Sequence, residues 1–469
     1  MTHPVPAAVL DQLKAALGEG GWSTDPDRLA PKLVEWRDRW VGTTPLLALP
    51  KTTAEVAAVV RICAAESVAI TPQGGNTGLV GGQIPEGEIL LSLERMRAIR
   101  ELDVFDDVIE VEAGAPLAAV QEAARDAGRF FPISLASEGT ASVGGLISTN
   151  AGGVGVLRYG TMRAQVLGLE AVLPNGEIWD GLRRLRKDNT GYDLKQLLIG
   201  AEGTLGVITA ASLKLYPVMA SRAVALVGLR SAHDAMELLA RAKTETGGGL
   251  EAFELIGAQG LDLVCKNIPG QRSPLPGDHA WFVLIEAASG EAGAAEAALE
   301  RVLAKALEDD LIQDAALAQT KAQAHAFWAL RENQSAGQKP EGPCWKHDVA
   351  VPVSRIAEFI DRAGAAIEAV EPGARVVAFG HVGDGNVHYD VLGAEGVPAK
   401  THAELRNEAA RRVYDIVADL GGSISAEHGL GIMKVEEALR HKPAAEIEAL
   451  RAIRTALDPK RIMNPRVLF

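Results

Sequence analysis

Two short stretches near the C-terminus carry the residues best suited to chemistry. FGHVGDGNVHYDV runs from Phe379 to Val391, and SAEHG from Ser425 to Gly429. Together they offer His381, His388, Glu427 and His428 as one site. Two imidazoles and a carboxylate that leave an exchangeable position make a catalytic metal centre, not a closed structural one. The remaining histidine can then act as a base. Taken alone, the same set also fits hydrolysis by a metal-bound water. The nitrogen and oxygen ligand mix suits zinc first, with manganese and iron as alternatives.

Positioning these groups requires a hairpin and a bend. The Asp384–Gly385 pair lies between two short apolar runs, and a two-residue turn centred there sets residue 381 directly opposite 388. Opposed Cβ atoms stand roughly 4.5–5.5 Å apart, within reach of a single ion. Glu427 and His428 are neighbours, so on a regular strand they would face opposite ways. Gly429 and Gly431 supply the permissive backbone for a bend that brings both to one place.

A second kind of chemistry is written in glycine. PQGGNTGLVGG spans Pro72 to Gly82, and ASEGTASVGGLISTNAGGVG spans Ala136 to Gly155. A hairpin turn needs one or two glycines, whereas clusters strip side chains from a long piece of backbone so that its N–H groups can approach an anion, usually phosphate. Flexible linkers are the bland alternative, but Asn76, Thr77, Ser142, Thr149 and Asn150 are interleaved hydrogen-bonding groups. The match to a dinucleotide fingerprint at Gly247 to Ala252 follows a helical run, Ala232–Thr244, instead of a strand, and no GxxxxGK[ST] loop occurs. Two glycine loops with neither fingerprint point to a dinucleotide held by another kind of fold.

The elements around them follow from periodicity. Thr52 with Glu55 forms a capping box, and Val56, Val59, Val60 and Cys63 make the buried stripe of a helix leading to a strand at Val68–Ile70. Beyond Pro217 glycine thins out, and strands are expected at Ala223–Leu229, Ala280–Glu286 and Ala350–Val353. Helices are expected at Ala294–Leu307, at Ser354–Val370 with Ser354 as cap, and at His402–Leu420, which stops on Gly421–Gly422. The domain boundary is placed near residue 220.

The 469 residues, 47% of them apolar, can bury a large core and predict two or more domains. A formal net charge of −14 argues against nucleic acid or an anionic membrane as the main partner. The three cysteines, Cys63, Cys265 and Cys344, form no CxxC pair, which argues against a disulfide framework or a cysteine-held metal. Met1 to Trp22 has no basic start with an apolar core, and no run of eighteen apolar residues occurs. The expectation is a soluble cytoplasmic protein.

The Gly74–Gly82 loop, the Ser137–Gly155 stretch, LIGAEGTLGVIT (Leu198 to Thr209), HVGDGNVH, AEHG and the terminal NPRVLF (Asn464 to Phe469) together resemble the FAD-linked D-2-hydroxy-acid dehydrogenases of the vanillyl-alcohol-oxidase superfamily. The run from Ala329 to Val353 is most similar to D-2-hydroxyglutarate dehydrogenases. The resemblance implies an α+β fold: a two-subdomain FAD-binding domain over residues 1–220, with its core at about 46–216, and a ferredoxin-like substrate and metal domain over 221–469. The final segment, about 420–469, would return to the flavin. FAD would lie against Gly74, Gly75, Asn76, Thr77 and Gly78, next to Pro72, and against Ser137, Gly139, Thr140, Gly144 and Gly145. Ser148, Thr149 and Asn150 would also face it, Glu202, Gly206 and Ile208 would flank the adenosine end, and Asn464 would reach toward the flavin. With no histidine or cysteine in QGGNTG, the FAD is expected to be non-covalent. The family pattern makes His381, His388 and Glu427 the metal ligands and His428 the general base.

In similar enzymes Arg331 and Lys346 bind substrate carboxylate, with Ser335 beside them. Two cations and a metal favour a dicarboxylate such as D-2-hydroxyglutarate or D-malate over lactate, with a D-lactate, glycolate or D-malate dehydrogenase on the same scaffold as the nearest alternative to D-2-hydroxyglutarate oxidation. Close D-2-hydroxyglutarate enzymes carry Asn where this chain has Asp390, a departure that could shift preference toward a smaller acid unless the carboxylate points away. Electrons would pass to a separate acceptor, an electron-transferring flavoprotein or a quinone, and a homodimer is compatible with the resemblance. A non-redox flavin synthase and a silent flavin-binding subunit are the rival classes, both of which lack the metal and base set kept here.

Overall fold

The computed structural model describes residues 4–468. They divide into two compact units: Met1–Gly152, Gly160–Pro217 and Glu427–Phe469 form one, and Gly153–Tyr159 with Val218–Ala426 form the other. The cut after Pro217 lies beside the expected boundary, but the continuous spans 1–220 and 221–469 do not describe the units. A short strap, 153–159, leaves the first half of the chain for the second unit, and the C-terminal segment joins the first.

The first unit is built on two sheets. A four-stranded sheet runs in the order Trp22–Ser23, Leu47–Ala48, Ile89–Ser92, Ile70–Gln73, and the last three pair in parallel. The helix Thr53–Glu66 provides the crossover that parallel pairing requires. Thr52 Oγ1 accepts the Glu55 N–H at 3.2 Å and the Glu55 carboxylate reaches back to the Lys51 N–H at 2.8 Å. Val56, Val59, Val60 and Cys63 are fully buried, each large aliphatic contributing roughly 1.5–3 kcal/mol. Burial also pushes the Cys63 thiol up to about 12, leaving it unreactive at neutral pH. The strand after this helix starts two residues later than expected, at Ile70. Ser67 takes a left-handed cap and Val68 still donates to Cys63, so the chain is released only then. The C-terminus returns here: Ile70 donates to Ile462 and accepts from Asn464, both at 2.8 Å.

A five-stranded antiparallel sheet follows in the order Ile99–Asp103, Val108–Glu112, Val207–Lys214, Val166–Val172, Ile178–Gly181. It carries the second glycine stretch on the short helix Val143–Thr149, whose first turn is capped by Ser142 Oγ.

The second unit is a seven-stranded antiparallel sheet. Its order is Asp314–Leu317, Ser221–Leu229, Trp281–Ser289, Leu250–Gly257, Arg375–Gly380, Asn386–Leu392, Cys344–Ala350. Helices at Ala232–Glu245, Ala294–Glu308, Ile356–Val370 and Ala399–Asp419 supply apolar stripes. The strand expected at 350–353 instead ends at Ala350, and a 3-10 turn, Val353–Arg355, follows Pro352. Proline cannot donate to the ladder, so pairing stops there. Ser354 consequently falls inside that turn, and Arg355 occupies the cap position of the next helix, its side chain pairing with Glu358 instead of capping the backbone. Among the described residues no helix is long and apolar enough to cross a membrane.

The strap is tied into this sheet by charge. Glu251, buried in the Leu250–Gly257 strand, accepts from Arg158 Nη1 at 2.8 Å and from the Tyr159 hydroxyl at 2.7 Å, and it also pairs with Arg222. Trp328 Nε1 donates to Glu286 at 2.6 Å, and Arg222 joins Glu286 to the same network.

Candidate active site

His381 and His388 belong to the hairpin made by Arg375–Gly380 and Asn386–Leu392. Its register differs from the expected one. Phe379 pairs with His388, and the Asn386 N–H donates to His381 O, so residue 381 faces 386. The connection spans Val382 to Gly385 instead of two residues. Gly380 opens the loop at φ 148, and Gly383 packs where a Cβ would meet Leu157 Cδ2 at 2.7 Å. The slip is by two residues, and because strand side chains alternate with period two, both histidines keep the same face. Their ring centroids lie 5.7 Å apart at 75°.

Each imidazole has a carboxylate behind it. Glu254, fully buried in the Leu250–Gly257 strand, meets His381 Nδ1 at 2.8 Å and accepts from Arg331 Nε at 2.7 Å. Burial alone would raise this carboxyl, but the His381 ring and the Arg331 guanidinium outweigh it and hold it at about 2. With Nδ1 turned to Glu254, His381 presents Nε2 to the site. Asp348 stands directly opposite His388 in the neighbouring strand, 3.9 Å from its Nδ1, and is itself held by Asn386 Nδ2 at 3.0 Å. Carboxylates behind ligating histidines fix the ring orientation and raise its basicity.

Glu427 follows directly on Ala426, whose N–H donates to Asp348 O at 3.3 Å. One ligand atom from each of His381, His388 and Glu427 lies within 4.8 Å of the others. Two nitrogens and an oxygen at that spacing are a donor set that fits a divalent cation. The expected bend is present: Gly429 and Gly431 adopt φ 77 and φ 51. Glu202 fixes it, its carboxylate accepting the N–H groups of Leu430 at 2.9 Å and Gly431 at 2.8 Å.

Arg331 and Lys346 are both engaged. Besides its pair with Glu254, Arg331 places Nη2 3.4 Å from His381 Nε2 and lies over the Phe379 ring. Lys346 Nζ is 3.5 Å from Ser335 Oγ and 2.8 Å from Asp390, which faces it across the ladder. The Asp390 carboxylate therefore sits on the lysine expected to greet substrate. Sequence reasoning missed Glu254 and Asp348. The available signal for the first was a pair of glutamates, Glu251 and Glu254, in an otherwise apolar and wholly buried strand.

The two glycine stretches differ in what they offer. From Gly74 to Gly78 no backbone N–H donates to a protein acceptor among the described residues. The loop has no room for side chains: a Cβ on Gly74 would meet Ser142 Oγ at 2.1 Å, and one on Gly75 would meet Thr140 O at 1.8 Å. A run of N–H groups bare of side chains and of protein acceptors fits a pyrophosphate. In the second stretch the N–H groups of Thr140, Ala141, Val143, Gly144 and Gly145 are all taken within the protein. There glycine serves close packing, Gly144 against Ala113 and the loop against Gly75.

Several polar side chains expected at the cofactor act as staples. Asn76 Nδ2 donates to Pro31 O and Val34 O, Asn150 Oδ1 accepts the Arg163 N–H, and Thr149 Oγ1 donates back to Gly145 O. Asn464 Nδ2 joins Gly82 O to Glu202 O at 2.9 and 2.8 Å. Ser148 accepts the Glu202 N–H through its carbonyl, Thr140 Oγ1 donates to Ser137 O, and Gly206 passes close to Val172 O.

Known proteins resemble this chain along nearly its whole length. Residues 44–181 match the FAD binding domain and residues 218–468 the C-terminal domain of FAD linked oxidases. The mitochondrial D-2-hydroxyglutarate dehydrogenase of Arabidopsis thaliana is 36% identical over 453 residues, 96% of this chain and 80% of that protein. The mitochondrial enzyme of the same name from Bos taurus is 37% identical, over 94% of this chain and 80% of its own. Among solved structures, p-cresol methylhydroxylase superposes with a TM-score of 0.77 at 14% identity, over 100% of this chain and 99% of that one, a likeness of fold alone. The chain belongs to the FAD-linked D-2-hydroxy-acid dehydrogenases, oxidoreductases with the vanillyl-alcohol-oxidase type of FAD-binding fold.

Proposed function

We propose that this enzyme oxidises D-2-hydroxyglutarate to 2-oxoglutarate with non-covalent FAD and a divalent metal, zinc first, held by His381, His388 and Glu427. The observation that carries the metal is the convergence of those three ligand atoms within 4.8 Å of one another. FAD, when bound, accepts the hydride from C2, and the metal, when bound, lowers the pKa of the C2 hydroxyl.

The chain's own groups do the rest. Glu254 keeps His381 Nδ1 engaged so that Nε2 faces the site, and Asp348 supports His388 from the strand beside it. His428 takes the proton from the C2 hydroxyl oxygen, a transfer suited to an imidazole near neutral pH. Lys346 and Ser335 receive the distal carboxylate of the substrate, and Arg331 stays on Glu254 as a positioning cation beside His381. Electrons leave to a separate acceptor, an electron-transferring flavoprotein or a quinone.

Support for D-2-hydroxyglutarate comes from the names of relatives aligned over almost the whole chain. Asp390 favours a second reading, D-lactate or another small D-acid, because it neutralises Lys346. Anaerobic mixing with D- and L-2-hydroxy acids, followed by flavin absorbance, separates these. D-2-hydroxyglutarate should bleach the flavin fastest. A flavin bleached by no D-acid sinks the activity, and faster bleaching by D-lactate overturns the substrate. A chelator should stop bleaching reversibly without releasing FAD, and full activity in metal-stripped protein would remove the metal.

A further inference from the structure

One region of the first unit has a charge pattern that flavin and metal chemistry leave unused. A cavity of about 570 Å³ is lined by Thr161, Arg163, Arg186, Lys195 and Lys214, together with apolar side chains such as Leu167 and Leu185, and among the described residues no carboxylate lines it. In a chain of net charge −14 that is unusual. Some arginines of the same unit sit on carboxylates, Arg184 on Glu101 and Arg100 on Glu170, and others, such as Arg95 and Arg97, meet carbonyl oxygens away from this cluster.

Here three cations meet only carbonyl or amide oxygens. Arg163 donates to Gln196 O at 2.9 Å, Gln196 Oε1 at 2.7 Å and Ile199 O at 2.6 Å. Lys214 donates to Ala164 O at 2.5 Å and Arg186 to Asp106 O at 3.2 Å. Only Lys195 has a counter-charge, Asp193 at 2.5 Å. Burial pushes Lys214 down from its ordinary value, and repulsion from Arg186 and Lys195 adds to it. Among the described residues no carboxylate pairs with Arg163, Arg186 or Lys214, whereas an oxyanion would neutralise them.

The cavity adjoins the second glycine stretch at one point, where the Arg163 N–H meets Asn150 Oδ1, and is otherwise distant from the residues expected at the adenosine end. It touches Val166 and Lys214, at one end of two paired strands, while Ile208 and Val172 lie at the other end. Six residue steps of strand are about 20 Å.

We propose that this cavity binds a small molecule carrying two or more closely spaced oxyanion charges, as phosphates or as carboxylates, held by Arg163, Arg186 and Lys214. The concave shape and a volume within the usual range for small-ligand sites favour a metabolite over the flat surface of an acidic protein. Leu167 and Leu185 give an apolar body a place beside the charged groups.

The test is calorimetric titration of the FAD-loaded enzyme with pyrophosphate and, separately, with tricarballylate, at constant ionic strength against sodium chloride. Saturable binding of either probe is expected, weakened roughly tenfold or more in Arg186→Gln/Lys214→Met, with FAD content and flavin reduction by the D-acid unchanged. Pyrophosphate alone would identify phosphate as the ligand group, and tricarballylate alone carboxylate. Arg186 is exposed, so Arg186→Gln by itself decides if the double variant fails to fold. Three results overturn the proposal: no saturable binding of either probe at millimolar concentration, affinity unchanged in the variants as metal chelation would give, or binding of polyglutamate only.

Discussion

Replacing Glu254 by glutamine removes one negative charge from between Arg331 and His381 while keeping the shape and one of the two accepting oxygens, Oε1 toward His381 or Oε2 toward Arg331. The carboxyl is fully buried and held at about 2 against an ordinary 4.5. At 1.36 kcal/mol per unit that difference contributes about 3 kcal/mol to the folded state at neutral pH. Loss of one partner from a buried pair costs roughly 3–5 kcal/mol, which agrees. For a unit of this size the melting temperature of Glu254→Gln should fall by roughly 6–12 °C at pH 7. The sign with pH is fixed by the direction of the shift. A carboxyl lowered on folding stabilises fully above its unfolded value, and the contribution fades as pH drops from 4.5 toward 2. Less than half of the gap between wild type and variant should therefore remain at pH 3. Differential scanning calorimetry of both proteins from pH 3 to 7 measures it. A variant melting within a degree or two of wild type at pH 7, or a gap that does not narrow in acid, would refute the electrostatic account.

Three further outcomes follow from the same geometry. His388→Ala should retain FAD but slow anaerobic flavin reduction by more than the roughly 10–100-fold that losing a supporting residue costs; rapid-mixing absorbance at saturating D-acid decides it, and undiminished reduction would take His388 out of the ligand set. Gly75→Ala drives a Cβ to within 1.8 Å of Thr140 O, so the purified protein should carry severalfold less flavin per chain, and full occupancy would disprove the cradle. Asp390→Asn releases Lys346 from its 2.8 Å partner and should lower KM for D-2-hydroxyglutarate by about tenfold while leaving D-lactate nearly unchanged; an equal change for both acids would show that Lys346 does not touch the distal carboxylate.

Much of the site could be read from residue order because its signals are local. The Thr52 cap, the stripe from Val56 to Cys63 and the bend at Gly429 and Gly431 each depend on neighbours in sequence. The hairpin shows how a wrong detail can leave a conclusion standing: the turn was two residues too tight, and the alternation of strand side chains absorbed the error. Partners distant in sequence were out of reach. Glu254 lies 127 residues from His381, and no local pattern tells which histidine a buried glutamate will meet. The second glycine stretch was ambiguous for a similar reason. Glycine that frees N–H groups for an anion and glycine that lets two backbones touch look identical until the acceptors are known.

The strap 153–159 carries a practical consequence for anyone dissecting the protein. The chain passes between the two units after Gly152, Tyr159, Pro217 and Ala426, so no single cut yields either one whole. A fragment that starts at Val218 would keep every strand of the seven-stranded sheet yet lose Arg158 and Tyr159, leaving Glu251 with Arg222 as its one remaining cation among the contacts described. It would also lose Leu157, which packs on Gly383, two residues from His381. Supplying 153–159 as a linked peptide, or permuting the chain so that it precedes Val218, is the route to an isolated second unit whose histidine loop is still shaped.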